Sequence, residues 1–310
     1  MIIFIFTAFR YNVGWDYQAY YKSIQYGLIT NIVSNGEYAS IFLVDISRRT
    51  GITNLYFFVN AFITIFLFSK TIKEYSKDNW LSLIIFLCFP LFYLNSLSVI
   101  RFFTALAITF YGFRYIERRK FIKYLIFVVL ASMFHKTALI AIVFYFVYNL
   151  NLKISKLVVL LTLLPVLSIL FNKAIIRYFP RYMVYTQLTS IQEGTKAIIV
   201  LIILAIVLLI FRKKIICGDT VVNGYYNIFF TGLSIYLMFS SQGTMGHRLS
   251  LYGTIFSILL ISEVLSKLKI NRDRFVIKIG IYLLCILMFL YTVYIGSGTY
   301  IPYRTIFNIY

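Results

Sequence analysis

The side chains that could do chemistry in this sequence are few, and most sit in apolar surroundings. Both histidines are followed directly by a cation, as His135-Lys136 and His247-Arg248. Arg101 stands between Ile100 and Phe102 in a nearly continuous apolar run, 80–116. Arg177 and Arg181 are four residues apart, which places both on one face of an amphipathic helix over 172–187. Arg10, Asp16 and Glu37 fall in the stretch 10–53 that follows the first apolar segment. A cation near the middle of a bilayer costs about 2.5–3.5 kcal/mol on insertion scales, and ionisable groups kept there usually have a task.

The chemistry that suits this set is the handling of a lipid-linked phosphate or pyrophosphate that enters sideways from the bilayer. A guanidinium fork binds phosphate oxygens bidentately and keeps its charge in a low dielectric. Arg101 is the first candidate for that clamp, with Arg248 and Arg10 as companions. Pyrophosphate is a good leaving group once its growing charge is stabilised. A sugar hydroxyl attacking the anomeric carbon then needs only a positioned base, for which His135 and Asp16 are the two candidates. Lys136, Arg177, Arg181, His247 and Glu37 are candidates for substrate binding. Each has a plainer alternative. Arg101 could snorkel at the mouth of its helix, and Lys136 could anchor a helix end. His135 could be a packed histidine with one hydrogen bond, His247 could belong to an exposed turn, and the Arg177/Arg181 helix could lie in the interface.

Several classes are excluded by spacing. Two histidines more than a hundred residues apart and a scatter of single acids do not make a metal-ligand cluster, so no metal and no cofactor is expected. Nothing resembles a phosphate-binding glycine loop. The formal charge of +20 is dispersed between apolar runs rather than gathered in one arm, which argues against a nucleic-acid partner. Cys88, Cys217 and Cys285 have neither disulfide nor metal spacing.

The elements that must position these residues are membrane helices. Apolar residues make up 61% of the 310 and charged residues 13%, about half of what a soluble domain carries. Apolar segments fall near 1–9, 54–69, 80–98, 99–116, 121–134, 138–150, 157–171, 197–211, 225–242, 249–266 and 276–295. They lack strand alternation, and helices satisfy their own backbone in lipid. The expected fold is an all-α polytopic bundle of about 10–11 segments forming one membrane-embedded domain, 1–310. Met1 to Phe9 is too short to cross a core of about 30 Å and has no signal-peptide pattern. If 121–134 and 138–150 are short arms turning near His135, the segments 70–79, 114–123, 151–156, 212–219 and 267–278 share one side and hold 18 of the 30 basic residues. The positive-inside rule makes that side cytoplasmic and places the long loops 10–53 and 172–196 outside. The arms are either a re-entrant hairpin or two full crossings.

Four stretches carry a family resemblance. YNVGWDYQAYY (11–21), NGEYASIFLVDIS (35–47), VIRFFTALAI (99–108) and ASMFHKTALI (131–140) resemble elements of the EpsG-like branch of the Wzy-type O-antigen and exopolysaccharide polymerases. HRLSLY (247–252) is a weaker match. The most specific part is the Arg-x-x-x-Ala helix followed by the Phe-His element. Trp15 departs from the pattern, standing where a smaller residue is common.

The resemblance implies a glycosyltransferase of the bacterial inner membrane that joins undecaprenyl-pyrophosphate-linked oligosaccharides at the outer face. A flippase and a chain-length regulator are the implied partners, besides membrane lipid. By matching position, Asp16, Arg101 and His135 carry over as functional candidates. A flippase for such lipids, or a membrane-bound acyltransferase acting on the glycan, are the alternative classes.

Overall fold

The computed structural model describes residues 1–27, 36–150, 195–216, 218–239, 244–268 and 270–307, with short helical pieces between 156 and 168. Part of the 157–171 segment and most of the 172–196 loop, with Arg177 and Arg181, lie outside the described residues. Among the described residues the regular structure is helical throughout. Three helices are long and apolar enough to cross a membrane: Asn54–Tyr75, Met245–Ser266 and Asn271–Ile295. Shorter apolar helices cover Asn79–Cys88, Phe121–Ser132, Lys136–Val147 and Ile199–Ile210. The protein is an all-α polytopic membrane protein, and nearly every expected segment that is described is a helix. The chain divides into two compact units, Met1–Leu139 with Ile270–Tyr310, and Ile140–Lys269.

The first unit is built round α4 (Asn54–Tyr75) and α7 (Ile100–Glu117). Buried residues run all round α7, from Phe102 and Phe103 to Ala105, Leu106 and Ala107, as expected of a helix apolar on every face. Gly112 lets α8 (Phe121–Ser132) approach closely, since a Cβ there would lie 3.1 Å from the Phe127 side chain. Polar side chains staple α4 to α7 inside this core. Thr104 donates to Asn60 Oδ1 at 2.8 Å, and the Thr64 and Thr104 hydroxyls are 3.3 Å apart. Each of these groups is buried, where an unpaired one would cost about 1–3 kcal/mol. Helix α1 (Ile2–Ala8) leans on α4 through edge-on contacts of Phe4 with Phe58 and Phe62. Helix α5 (Asn79–Cys88) packs on α15 (Asn271–Ile295), which shows Leu283, Leu287 and Leu290 outward as a lipid-facing helix does.

The polar ends of this unit sort into two groups. At one end Arg114 bonds Glu74 at 2.7 Å, Tyr75 donates to Glu117 at 2.9 Å, and Lys278 pairs with Asp78 at 2.5 Å. These contacts bring 70–79, 114–120 and the start of α15 together. At the other end the segment after α1 pairs with the C-terminal tail. Tyr11 N–H donates to the Arg304 carbonyl and Ile306 N–H to the Phe9 carbonyl, both at 2.9 Å.

Within 10–53, expected as an outer loop, the described residues include two helices, α2 (Tyr17–Tyr26) and α3 (Tyr38–Arg49). Both are amphipathic and short. Helix α2 buries Tyr17, Tyr20 and Ile24, and α3 buries Ser40, Val44 and Ser47, a spacing of one turn at each step. Gly14 sits at φ +104°, and a Cβ on it would lie 2.2 Å from the Leu97 carbonyl oxygen. That close approach docks the loop on α6 (Tyr93–Ser98) and leaves room only for glycine.

In the second unit α12 (Thr220–Met238) packs on α13 (Thr244–Thr254), with Gly232 and Gly253 in backbone contact. Small residues at a crossing let membrane helices come this close. Asn227 donates to the carbonyls of Val147, Tyr148 and Leu150, tying the end of α9 (Ile142–Val147) to α12.

Candidate active site

The first unit gathers residues of all four resemblance-bearing stretches round one buried ion pair. Arg101 begins α7, and its Nη1 is bonded to Glu37 Oε2. The Glu37 side chain is 3% exposed and that of Arg101 17%, so the pair is largely desolvated. The second carboxylate oxygen of Glu37 accepts from the backbone N–H of Lys136 at 3.2 Å. A single carboxylate thus joins the start of α3, the start of α7 and the chain break after α8. Burial pushes the Glu37 carboxyl above its ordinary range, against the opposing pull of Arg101 and the Lys136 N–H.

Local folding explains why these groups meet. Helix α8 ends at Ser132, and the chain turns through Met133–His135 before a 3₁₀ segment, Lys136–Ala141. The first turn of α3 fills that break. Ala39 and Ser40 N–H groups donate to the Met133 carbonyl at 3.0 and 3.4 Å, and Ser40 Oγ donates to the Phe134 carbonyl at 3.1 Å. The turn falls where the sequence places it, at His135.

His135 is half-buried. Its Nδ1 is 2.6 Å from Thr137 Oγ1, and its ring stands edge-on to Phe102, the residue after Arg101, at 5.6 Å. When Nδ1–H donates to Thr137, Nε2 carries the lone pair that a base requires. Lys136 is exposed and its stem passes over Gly36: a Cβ there would be 3.5 Å from Lys136 Cε. Asp16 occupies the cap position of α2, half-buried beside exposed Trp15. What α2 gives the cluster is Tyr20, one turn further on, with the Arg101 guanidinium 5.8 Å from its ring centre. Tyr56 of α4 packs on Tyr20 at 5.7 Å.

Arg10 has another role. It is 1% exposed, and its guanidinium donates to the carbonyls of Thr7 (2.5 Å), Val13 (3.3 Å) and Leu97 (3.2 Å). These three bonds tie the end of α1 to α6. His247 and Arg248 lie half-buried on the first turn of α13, in the second unit, where the His247 carbonyl accepts from Ser250 Oγ. Among the described residues no three His, Cys, Asp or Glu side chains converge.

Tyr20 and Tyr56 join the cluster without having been candidates from the sequence. The signal for Tyr20 was present, since it closes the V-G-x-D-Y-x-x-Y element at 13–20. Tyr56 lies in an aromatic apolar run, and nothing in its neighbourhood marks it.

The site is thus a desolvated arginine–carboxylate pair beside a histidine at a helix break, in an all-α membrane protein. Compared with known families, residues 1–305 match the EpsG family, and the chain belongs to that family. No curated protein and no solved structure matches it. Family membership supports a Wzy-like polymerase of polysaccharide biosynthesis.

Proposed function

We propose that the protein polymerises undecaprenyl-pyrophosphate-linked oligosaccharide units at the outer face of the bacterial inner membrane, in O-antigen or exopolysaccharide synthesis. The observation that carries this reading is the buried Arg101–Glu37 pair set beside His135. Arg101 holds the pyrophosphate of the growing chain. Glu37 keeps the guanidinium aimed and joins it to the Lys136 segment. Arg248 is a second candidate for the lipid phosphate, and Lys136, His247, Arg177 and Arg181 are candidates for substrate binding.

In the reaction the acceptor hydroxyl of the next lipid-linked unit attacks the donor's anomeric carbon, and a new glycosidic C–O bond forms. The bond from that carbon to the pyrophosphate oxygen breaks, and undecaprenyl pyrophosphate leaves with the electron pair. His135 Nε2 takes the hydroxyl proton and passes it to solvent or to the leaving pyrophosphate. Asp16 is the competing base. The dispersed acids and histidines suit a metal-independent glycosyltransferase, with charge stabilisation supplied by arginine. A flippase and a chain-length regulator are the proposed partners.

Deleting the gene and resolving the surface polysaccharide on a gel separates this reading from its rivals. Single repeat units attached to their final carrier are expected. Complete loss of the glycan would identify a flippase, and a full ladder would identify a modifying enzyme such as an acyltransferase.

A further inference from the structure

Arg101 and Tyr56 share an unusual condition. Arg101 Nε is buried and lacks a hydrogen-bond partner, although Nη1 of the same guanidinium is paired with Glu37. The Tyr56 hydroxyl is also buried without a partner, on a side chain at 0% exposure. Both groups border Tyr20: the Tyr56 ring is 5.7 Å from it, and the Arg101 guanidinium lies 5.8 Å from its ring centre. Buried polar groups are nearly always paired, and each unpaired one costs about 1–3 kcal/mol. Packing alone gives no reason for a hydroxyl here, because phenylalanine fills the same volume without that cost, as Phe57 does next door.

We infer that the Tyr56 hydroxyl and Arg101 Nε together bind a non-bridging oxygen of the lipid pyrophosphate, so that Tyr56 is the second arm of the clamp. The inference rests on reading Arg101 as the pyrophosphate ligand. Glu37 occupies one nitrogen of the guanidinium and leaves Nε, with its directed N–H, for an arriving oxygen. A phenol supplies a further donor without adding charge, and a hydrogen bond to an anionic oxygen is about twice as strong as a neutral one. The two donors are also held in register. Asn60 Nδ2 donates to the Tyr56 carbonyl at 2.9 Å, and Thr104, three residues after Arg101, donates to Asn60 Oδ1 at 2.8 Å. The staple between α4 and α7 therefore fixes the backbones that carry the phenol and the guanidinium.

The test is binding of undecaprenyl pyrophosphate to the full chain in lipid nanodiscs, with wild type, Tyr56→Phe and Arg101→Lys compared. Tyr56→Phe removes only an unpartnered hydroxyl, so its thermal midpoint should match or exceed that of wild type. Its Kd should rise about 10-fold or more, as loss of a hydrogen bond to a charged group does. Inorganic pyrophosphate should compete in wild type and compete less well in Tyr56→Phe, which separates headgroup recognition from binding of the lipid tail. An unchanged Kd in Tyr56→Phe with a weakened Arg101→Lys overturns the inference and leaves the Arg101 reading standing. Unchanged Kd in both variants overturns both. If Tyr56→Phe does not accumulate, 3-fluorotyrosine at position 56 of the otherwise native chain provides the readout: saturating undecaprenyl pyrophosphate should move its ¹⁹F resonance, and an unmoved resonance overturns the inference.

Discussion

Arg101→Lys is expected to accumulate in the membrane at the wild-type level and to make at least about 100-fold less long polymer, the size of loss that follows removal of an oriented charge-stabilising donor. Lysine keeps a positive charge beside Glu37, so the buried carboxylate is not left uncompensated. It lacks the planar fork that can hold Glu37 with one nitrogen and a phosphate oxygen with another. Arg101→Ala is a harsher change. It leaves the Glu37 carboxylate buried and unpaired, which costs about 3–5 kcal/mol, and the protein should accumulate poorly. Adding Glu37→Gln removes that stranded charge. The double variant Arg101→Ala/Glu37→Gln should therefore regain membrane accumulation and still make no polymer. Recovery of ladders in the double variant, or full ladders from Arg101→Lys, would show that Arg101 serves only to hold Glu37.

His135→Gln is expected to lower polymerisation by about 100-fold or more while leaving binding of undecaprenyl pyrophosphate unchanged. Glutamine preserves the size and one hydrogen bond toward Thr137 and has no basic nitrogen near neutral pH. Asp16→Asn is the companion measurement. Asp16 stands at the N-terminal cap position of α2, one turn before Tyr20, the α2 residue beside Arg101. With His135 as the base, its amide variant should lose less than about 10-fold. Normal ladders from His135→Gln with single repeats from Asp16→Asn would transfer the role of base to Asp16. Normal ladders from both would leave catalysis to proximity and pyrophosphate stabilisation.

Much of this architecture was legible in the sequence because lipid imposes a simple rule on it. Runs such as 54–69 and 276–295 had to be helices, and they are helices over Asn54–Tyr75 and Asn271–Ile295. The break at His135 was legible because a turn there gathers 18 of the 30 basic residues on one side. The two helices within 10–53 were harder to see. Their inward faces are drawn partly from serine and tyrosine, as with Ser40, Val44 and Ser47 on α3, and such faces have little apolar contrast. The site was legible as a set of residue types and not as a set of partners. Arg101 and His135 stood out because charge and imidazole are conspicuous in an apolar run. That Glu37 is the ion-pair partner of Arg101 depends on a contact 64 residues apart in sequence. Arg10 stands out as a companion cation, and its guanidinium also bonds the carbonyls of Thr7, Val13 and Leu97. Composition does not distinguish an arginine that waits for a ligand from one that closes a fold. Tyr56 was hidden among aromatic neighbours, and only its orphaned hydroxyl sets it apart from Phe57.

The central claim is that this chain alone transfers a glycan from one lipid pyrophosphate to the next lipid-linked unit. The most direct measurement is reconstitution of the purified protein in liposomes with lipid-linked repeat units taken from the deletion strain, following both glycan length and free undecaprenyl pyrophosphate. A ladder that grows with time is expected, with one undecaprenyl pyrophosphate released per linkage formed, without added nucleotide, and with both signals lost in Arg101→Lys. A wild-type protein that binds the lipid-linked units yet releases no undecaprenyl pyrophosphate and lengthens no chain would contradict it.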